Sequence, residues 1–254
     1  MLLAIDAGNS NLTLGVFDQD ELMIHWRLTT DVNRTSDEYG SDVRHLFELS
    51  AVDAKLEAIV IASVVPALNL TLQRMAEVYF MLTPVFVDHT TRSGLIVVYD
   101  QPAQLGADRI VDAVAGIARY GPPCIVVDFG TATTFNVVNG AGEFIGGAIS
   151  PGLMTCSDAL FSRTAQLPRI EFERPEKVIG ASTIAAMQSG IYHGYAGLVD
   201  GMLKAIIDEL GENPHIIATG GLAHAIAPVS QYIREVDDLL TLEGLRLVYE
   251  RMKA

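Results

Sequence analysis

The chain has 254 residues, half of them hydrophobic, and a formal net charge of −14 at pH 7. At about 100 to 200 residues per domain, this length predicts one large domain or two medium ones, with enough apolar side chains for a core. The acidic net charge repels the phosphate backbone of nucleic acids, and the sequence has no run of lysine or arginine that would overcome this repulsion. We therefore do not expect a nucleic acid as a partner.

The cysteines and the apolar runs limit the cellular setting. Cys124 and Cys156 provide neither a disulfide framework nor the spacing of zinc ligands, which favours a reducing cytoplasm. The apolar stretch at residues 1–5 follows no basic region, and no later run reaches the roughly 20 residues of a membrane span. We therefore predict a cytoplasmic protein with no signal peptide and no membrane segment.

The start of the chain predicts a hairpin followed by a helix. An apolar strand ending at Asp6 and a second apolar run over Leu14–Phe17 flank a polar turn. Thr35 and Glu38 have the spacing of a capping box, in which each side chain bonds the other residue's backbone N–H, before the amphipathic stretch Tyr39–Leu49. The pattern predicts a helix over that stretch.

The rest of the first half alternates strand and helix. The β-branched run Ala58–Val65 predicts a buried strand, Pro66 suits the first turn of a helix that reaches Leu82, and Val85–Val87 predicts a short strand. This order is typical of a parallel or mixed sheet covered by helices.

The rest of the chain continues this alternation. The pattern predicts, in order, a helix at Asp108–Tyr120, a strand beginning at Cys124, a strand at Ile145–Ser150, helical structure broken at most once over Ala181–Leu210, a strand at His215–Ala218 and a helix at Leu242–Arg251. Five small residues share one face of the long helical stretch: Ala186, Gly190, Gly194, Gly197 and Gly201. They indicate a close-packed contact, either with the sheet or a neighbouring helix, or with another subunit.

One short pattern occurs twice. Asp6-Ala7-Gly8 and Asp128-Phe129-Gly130 each end an apolar strand and precede small hydroxyl or amide residues, and the two Asp residues are 122 positions apart. Such a repeat suggests two related halves, which we place at residues 1–120 and 121–254, facing a shared cleft that could hold a nucleotide triphosphate and its metal ion. The alternative is a pair of ordinary hairpin turns, where Asn, Gly and Ser are common.

Two further segments concentrate small or polar residues. Gly106, Asp108 and Arg109 stand at the start of a predicted helix, where they could accept a substrate proton and hold an anion, or serve as an N-cap beside a solvated arginine. The run Gly146–Gly152 could line a cleft or mark a strand bend. Neither a P-loop nor a Rossmann fingerprint occurs in the sequence.

Four motifs, in this order and spacing, resemble the type III pantothenate kinases: Asp6–Asn11, Gly106–Arg109, Asp128–Thr133 and Gly146–Gly152. The resemblance covers nearly the whole chain. Ser10 departs from the threonine that the family more often has, but it keeps the hydroxyl. The resemblance implies a duplicated actin-like (ribonuclease H-like) two-lobed α/β fold, with mixed sheets flanked by helices, working as a homodimer. It also implies ATP-dependent phosphorylation of pantothenate to 4'-phosphopantothenate, the first step of coenzyme A biosynthesis.

The resemblance further implies roles for single residues. The phosphates of ATP, with Mg²⁺ held through Asp6, are expected at Asp6, Ala7, Gly8, Asn9, Ser10, Asn11, Leu12 and Thr13, and the nucleotide also at Thr131. Asp128 is expected to hold the monovalent cation, K⁺ or NH₄⁺. The pantothenate site is expected at Tyr99, Gly106, Ala107, Asp108, Arg109 and Thr183, with Asp108 as the catalytic base. The glycine face beyond Thr183 becomes a stronger choice for the dimer contact.

Two other functions fit the same fold. A non-catalytic regulatory or accessory protein is one, although a pure binding module needs no general base and this sequence has Asp108. A nucleotide or polyphosphate hydrolase is the other, and it would need a water-positioning carboxylate instead of an acceptor pocket. ADP release with and without pantothenate separates all three.

Overall fold

A computed structural model describes residues 1–50 and 55–253. The strands are β1 (Leu2–Ala7), β2 (Asn11–Asp18), β3 (Glu21–Thr29), β4 (Ala58–Ser63), β5 (Val85–Phe86), β6 (Ile96–Val97), β7 (Cys124–Phe129), β8 (Ala132–Val138), β9 (Glu143–Pro151), β10 (His215–Thr219) and β11 (Glu235–Val236). The helices are α1 (Ser36–Ser50), α2 (Pro66–Phe80), α3 (Ala107–Tyr120), α4 (Leu153–Arg163), α5 (Thr183–Leu210), α6 (Ala223–Ile226) and α7 (Leu240–Lys253). Within the described residues, no helix is both long and apolar enough to cross a membrane.

The strands form two mixed sheets with the same topology. The first has the order β3-β2-β1-β4-β5, and the second has the order β11-β10-β7-β8-β9-β6. Read from β9 to β11, the second sheet has the same strand order as the first, with β7 in the place of β1, and β6 is an additional edge strand. In each sheet the strand that ends in Asp-x-Gly is antiparallel to the next strand and parallel to a later one. The predicted duplication of a mixed α/β unit is confirmed.

The chain divides into two compact units. The first contains residues 1–95, 100–115 and those from Leu239 onward, and the second contains 96–99 and 116–238. These units differ from the halves at 1–120 and 121–254 because α7 packs on β1 and β4 of the first sheet. The boundary near residue 120 stays a prediction. Each unit has its own apolar core, around Leu3, Ile5 and Tyr39 in the first and around Phe135 and Val199 in the second.

Local signals placed the first-half helices correctly. The Thr35 backbone N–H donates to Glu38 Oε2 (2.7 Å) and the Glu38 N–H donates to Thr35 Oγ1 (3.3 Å), so the predicted capping box is present at the start of α1. Pro66 occupies the first turn of α2, as predicted, and α2 ends at Phe80, two residues before the predicted end. The predicted strand at 58–65 is β4, which ends at Ser63.

In the second half the structure decides two alternatives that the sequence left open and adds one helix. Helix α5 is continuous over its 28 residues, without the break that the sequence left open. Helix α4 was not predicted, and its N-cap Gly152 offers no side-chain hydrogen bond that would have announced it. The glycine run at 146–152 lies mostly in β9, beside an irregularity in the pairing with Val137 and Val138, which agrees with a strand bend.

The four glycines on the small-residue face of α5 are not packed against the part of the chain that the structure describes. A Cβ added at Gly190, Gly194, Gly197 or Gly201 would meet no heavy atom within 4 Å among the described residues. Packing of these glycines against the sheet or a neighbouring helix, one of the two alternatives, is therefore wrong for this chain. The glycines instead leave an open helical surface.

Candidate active site

The first Asp-x-Gly turn presents a carboxylate and three polar side chains. Asp6 is half-buried at the carboxyl end of β1, opposite Thr13 on β2. The Gly8 N–H donates to the Asn11 carbonyl at 3.0 Å and closes the turn. The side chains that follow Gly8 are exposed: Asn9, Ser10 and Asn11. This corner of the first sheet can therefore offer carboxylate, amide and hydroxyl groups to a polar ligand.

Two residues of the predicted ATP site contribute no side chain to this corner. Ala7 and Leu12 are buried in the apolar core of the first unit. The Ala7 carbonyl also accepts a hydrogen bond from the Val64 N–H at 3.1 Å. Their part in ligand binding can only come through the backbone, whereas the half-buried Thr13 keeps a hydroxyl near the turn.

The second Asp-x-Gly turn lies in the other unit and is one residue shorter than the first. Asp128 is half-buried near the end of β7, and Thr219 of the parallel strand β10 lies beside it in register. The Gly130 N–H donates to the Ala132 carbonyl, two residues on, at 3.1 Å, whereas the Gly8 N–H of the first turn donates three residues on. Thr131 is exposed at the tip. In both units the glycine N–H closes the turn, but the two turns differ in length by one residue.

The predicted base lies at the N-terminus of α3. Asp108 Oδ1 accepts a hydrogen bond from the Arg109 N–H at 2.7 Å. Burial of the carboxyl group raises the pKa of Asp108 above its ordinary value, and this effect outweighs the hydrogen bonds and the Arg109 charge, which act to lower it. Arg109 is buried, with 6% of its surface exposed. A carboxylate with a raised pKa is a stronger proton acceptor than a surface aspartate.

Gly106 makes room for this carboxylate. A Cβ at position 106 would overlap Asp108 Oδ1 and would lie 3.5 Å from the Val64 side chain. Since the Val64 N–H donates to the Ala7 carbonyl, Val64 borders both the α3 N-terminus and the end of β1. The structure thus brings two of the motifs, Asp6–Asn11 and Gly106–Arg109, to the same edge of the first sheet.

Sequence reasoning missed a buried acid on the same helix. Asp112 is 1% exposed, one turn after Asp108, and accepts a hydrogen bond from Thr241 Oγ1 at 2.8 Å. This bond ties α3 to the start of α7 within the first unit. The spacing of four residues between Asp108 and Asp112 was the available signal, because it places both carboxylates on one helical face.

The remaining predicted substrate residues lie in the second unit. The Tyr99 ring packs near Phe144, with 6.1 Å between ring centroids. Thr183 is the first residue of α5, directly after Ser182, whose hydroxyl caps the helix by accepting from the Ala185 N–H at 3.2 Å. Thr183 also lines a groove of about 800 Å³ bounded by α4 and α5, together with Cys156, Leu160, Met187, Gly190 and Gly194. This groove is predominantly apolar.

The donor groups at both turns suit hard cations. Mg²⁺ prefers oxygen ligands, usually keeps several waters and is held through one or two carboxylates plus phosphates, which agrees with the single half-buried carboxylate of Asp6 beside exposed amide and hydroxyl groups. Asp128 has the neighbouring residue Thr219, so the second turn also offers oxygen donors. The residues present fit the ions predicted for them.

Solved structures define the class of this fold. The chain aligns over 99% of its length with all of a conserved protein from Campylobacter jejuni assigned to the Baf family of transcriptional activators (TM-score 0.61, 18% identity). It aligns over 97% of its length with 89% of the ethanolamine utilization protein EutJ from Carboxydothermus hydrogenoformans (TM-score 0.56, 15% identity). These likenesses, together with the duplicated sheets, confirm the predicted actin-like α/β fold.

Sequence comparison then gives the family. The model of type III pantothenate kinases matches residues 2–205. The type III pantothenate kinases of Koribacter versatilis and Anaeromyxobacter sp. (strain Fw109-5) are each 50% identical over 99% of this chain, covering 96% and 99% of the relatives. The chain belongs to the type III pantothenate kinase family. It is a kinase that uses ATP with a divalent metal ion to phosphorylate pantothenate, the first step of coenzyme A biosynthesis.

Proposed function

We propose that Asp108 is the general base of pantothenate phosphorylation in this chain. The observation that carries the proposal is a half-buried carboxylate at the start of α3, with a raised pKa and with space kept clear by Gly106. In the proposed step the primary hydroxyl oxygen of pantothenate attacks the γ-phosphorus of ATP and the bond to the β-phosphate oxygen breaks. ADP leaves, and the hydroxyl proton passes to Asp108.

The first turn is proposed to hold the phosphates of ATP. Its exposed polar residues, Asn9, Ser10 and Asn11, can donate hydrogen bonds to phosphate oxygens, and Asp6 can hold Mg²⁺. When bound, the divalent ion neutralises charge on the phosphates. Phosphoryl transfer depends mainly on positioning and charge neutralisation, so this turn sets the direction from which the γ-phosphate meets its acceptor.

The second turn is proposed to hold the nucleotide and a monovalent cation. Thr131 is exposed where a ligand could contact it, and Asp128 is the nearby carboxylate. K⁺ is the abundant monovalent cation of the cytoplasm, where we place the enzyme, and NH₄⁺ has a similar size. A bound cation would neutralise part of the negative charge of the nucleotide that this turn holds.

Pantothenate is proposed to bind through the Gly106–Arg109 segment, together with Tyr99 and Thr183. Arg109 can hold the pantothenate carboxylate by paired hydrogen bonds, since guanidinium groups match carboxylate geometry. The backbone of Gly106 and Ala107 lies at the helix N-terminus, where partial positive charge favours anions. Tyr99 and Thr183 are assigned to the same ligand on the strength of the family resemblance.

Measuring ADP release with and without pantothenate tests the function. Purified protein is incubated with ATP, Mg²⁺ and K⁺, and ADP is followed over time. We expect ADP release only when pantothenate is present. Equal release without pantothenate would indicate a hydrolase, and no release under either condition would indicate a regulatory protein.

Changing Gly106 to alanine is expected to disturb the base directly. The added methyl group would overlap Asp108 Oδ1, so the carboxylate must rotate away from its position. We expect Gly106→Ala to lower kcat by roughly 10-fold or more, as removal of correct orientation does. Steady-state kinetics in the Asp108→Asn background provide the control, because the same glycine change should then have little further effect. Equal losses in both backgrounds would contradict this role of Gly106.

The open glycine face of α5 is proposed to be a homodimer contact. It borders an apolar groove of about 800 Å³, and Leu160, Phe161 and Ile184 nearby are exposed. A second copy of the chain could bring helix backbones close together there, because glycine adds no side chain between them.

A charged residue on this face is expected to separate the dimer. Gly194→Arg would place a guanidinium in the proposed contact and should shift the mass measured by light scattering from two chains to one. Ser41→Arg, at an exposed position of α1, is the matched control and should stay dimeric. A dimer that survives Gly194→Arg at low micromolar concentration would place the interface elsewhere.

A further inference from the structure

A threonine from outside the first turn holds a carbonyl of that turn. Thr30 follows the last residue of β3, and its Oγ1 donates to the Gly8 carbonyl at 2.6 Å. Its backbone N–H donates to the Ser10 carbonyl at 3.0 Å. Thr30 therefore bonds the turn twice, once on either side of Asn9.

A threonine hydroxyl also holds the second turn, through the carbonyl of the residue after the glycine. Thr155, in the first turn of α4, donates from Oγ1 to the Thr131 carbonyl at 2.8 Å. The Gly152 N–H donates to the same oxygen at 3.0 Å. A Cβ at Gly152 would overlap the carbonyl oxygens of Gly130 and Thr131, so α4 approaches the turn too closely for any other residue.

Fixing a carbonyl fixes the peptide unit to which it belongs. The peptide group is planar and trans, so its C=O and N–H point in opposite directions. With the Gly8 carbonyl bonded to Thr30, the Asn9 N–H must point away from Thr30. With the Thr131 carbonyl bonded twice, the backbone beside Thr131 is fixed and so is the direction in which its side chain leaves the turn.

We propose that Thr30 and Thr155 are positioning residues that orient the two turns toward ATP. The proposal rests on the assignment of both turns to ATP binding made above. Thr30 and Thr155 touch no reacting atom and act through Asn9 and Thr131. Both bonds come from the residue or helix that follows the third strand of each repeated unit, β3 in one and β9 in the other, so in each unit a threonine hydroxyl bonds a carbonyl of the Asp-x-Gly turn.

The test compares valine and serine at each position. Valine keeps the shape of threonine but lacks the hydroxyl donor, whereas serine keeps the donor. We expect Thr30→Val and Thr155→Val each to raise the KM for ATP by roughly 3- to 10-fold, the range for loss of one hydrogen bond, with the KM for pantothenate within about twofold of wild type. Thr30→Ser and Thr155→Ser should restore the ATP value.

Thr164→Val is the matched control. Thr164 Oγ1 also donates to a backbone carbonyl, that of Leu160 at 2.7 Å, but at the end of α4 away from the turn. Its variant should keep the wild-type KM for ATP. If a valine variant does not fold, the smaller Thr→Ala change takes its place.

Two results would overturn the positioning role: an unchanged KM for ATP in both valine variants, or equal rises in the KM for ATP and for pantothenate. Titration calorimetry with ATP and Mg²⁺ is carried out on the same proteins. If wild type shows no pantothenate-dependent ADP release, the proposed function fails, and the calorimetric Kd for ATP still decides whether Thr30 and Thr155 orient the turns.

Discussion

Replacement of Asp108 by asparagine is expected to lower kcat by about 10²- to 10⁴-fold, the usual contribution of a general base. Asparagine keeps the size and the hydrogen-bond acceptor of the side chain but cannot take the proton of the pantothenate hydroxyl. The Kd for ATP should change little, because the polar residues of the first turn are untouched. Steady-state kinetics combined with ATP titration measures both quantities.

The melting temperature of Asp108→Asn shows whether a loss of activity comes from misfolding. Burial raises the pKa of Asp108 in the folded protein, so the folded state holds this proton more tightly than the unfolded state does. The ionised carboxylate therefore costs stability, fully so above the folded-state pKa, and the cost disappears only when the pH falls below the ordinary pKa of the unfolded state. Asp108→Asn should therefore melt at or above the wild-type temperature at pH 8. Asp20→Asn, at an exposed turn residue, should leave kcat unchanged. Near-normal turnover in Asp108→Asn would remove Asp108 from the role of base.

Replacement of Asp128 by alanine is expected to abolish activation by K⁺. Asp128 is the half-buried carboxylate of the second turn, and alanine removes both of its oxygen ligands. We expect kcat at saturating K⁺ to fall by roughly 10- to 100-fold, the range for loss of one hydrogen-bonded charged group. The rate should then be the same in K⁺ and in a large organic cation.

The measurement is a titration of initial rate against K⁺ at constant ionic strength. Asp18→Ala, at an exposed residue that ends β2, is a matched control and should keep the wild-type K⁺ dependence. Asp128→Asn retains one oxygen ligand and should need more K⁺ for half-maximal rate. A K⁺ dependence unchanged in Asp128→Ala would move the monovalent cation to another site.

Elements with local signals could be predicted, and those made by distant contacts could not. Helix α1 carries its own capping box at Thr35 and Glu38, and α2 begins at Pro66, so neighbouring residues specify both starts. Helix α4 begins at Gly152 without a side-chain cap, and its position depends on bonds to a turn about 20 residues earlier. No nearby pattern announces such a helix.

The same distinction applies to the site. Each of the two Asp-x-Gly turns and the Gly106–Arg109 segment is a short run of consecutive residues. Their residue types alone were therefore enough to predict polar binding sites. Thr30 and Thr155 reach their turns from 22 and 24 residues away. Since their partners are backbone carbonyls, which carry no sequence information, only the folded structure reveals them.

For the glycine face of α5, residue spacing predicted the face but not the surface that covers it. Spacing correctly placed Gly190, Gly194 and Gly197 on one side of a helix. It could not say what covers that side, because an open glycine face and a packed one have the same spacing. The open surface seen in the structure leaves a second chain as the partner that we propose.

The central claim is that the γ-phosphoryl group of ATP reaches the primary hydroxyl of pantothenate on this chain. The most direct measurement quantifies ADP and 4'-phosphopantothenate together, by chromatography and mass spectrometry, in a reaction with Mg²⁺ and K⁺. We predict equal amounts of the two products at every time point in wild type, and an equal fall of about 10²- to 10⁴-fold in the rate of both in Asp108→Asn. ADP that forms without an equal amount of 4'-phosphopantothenate would contradict the claim.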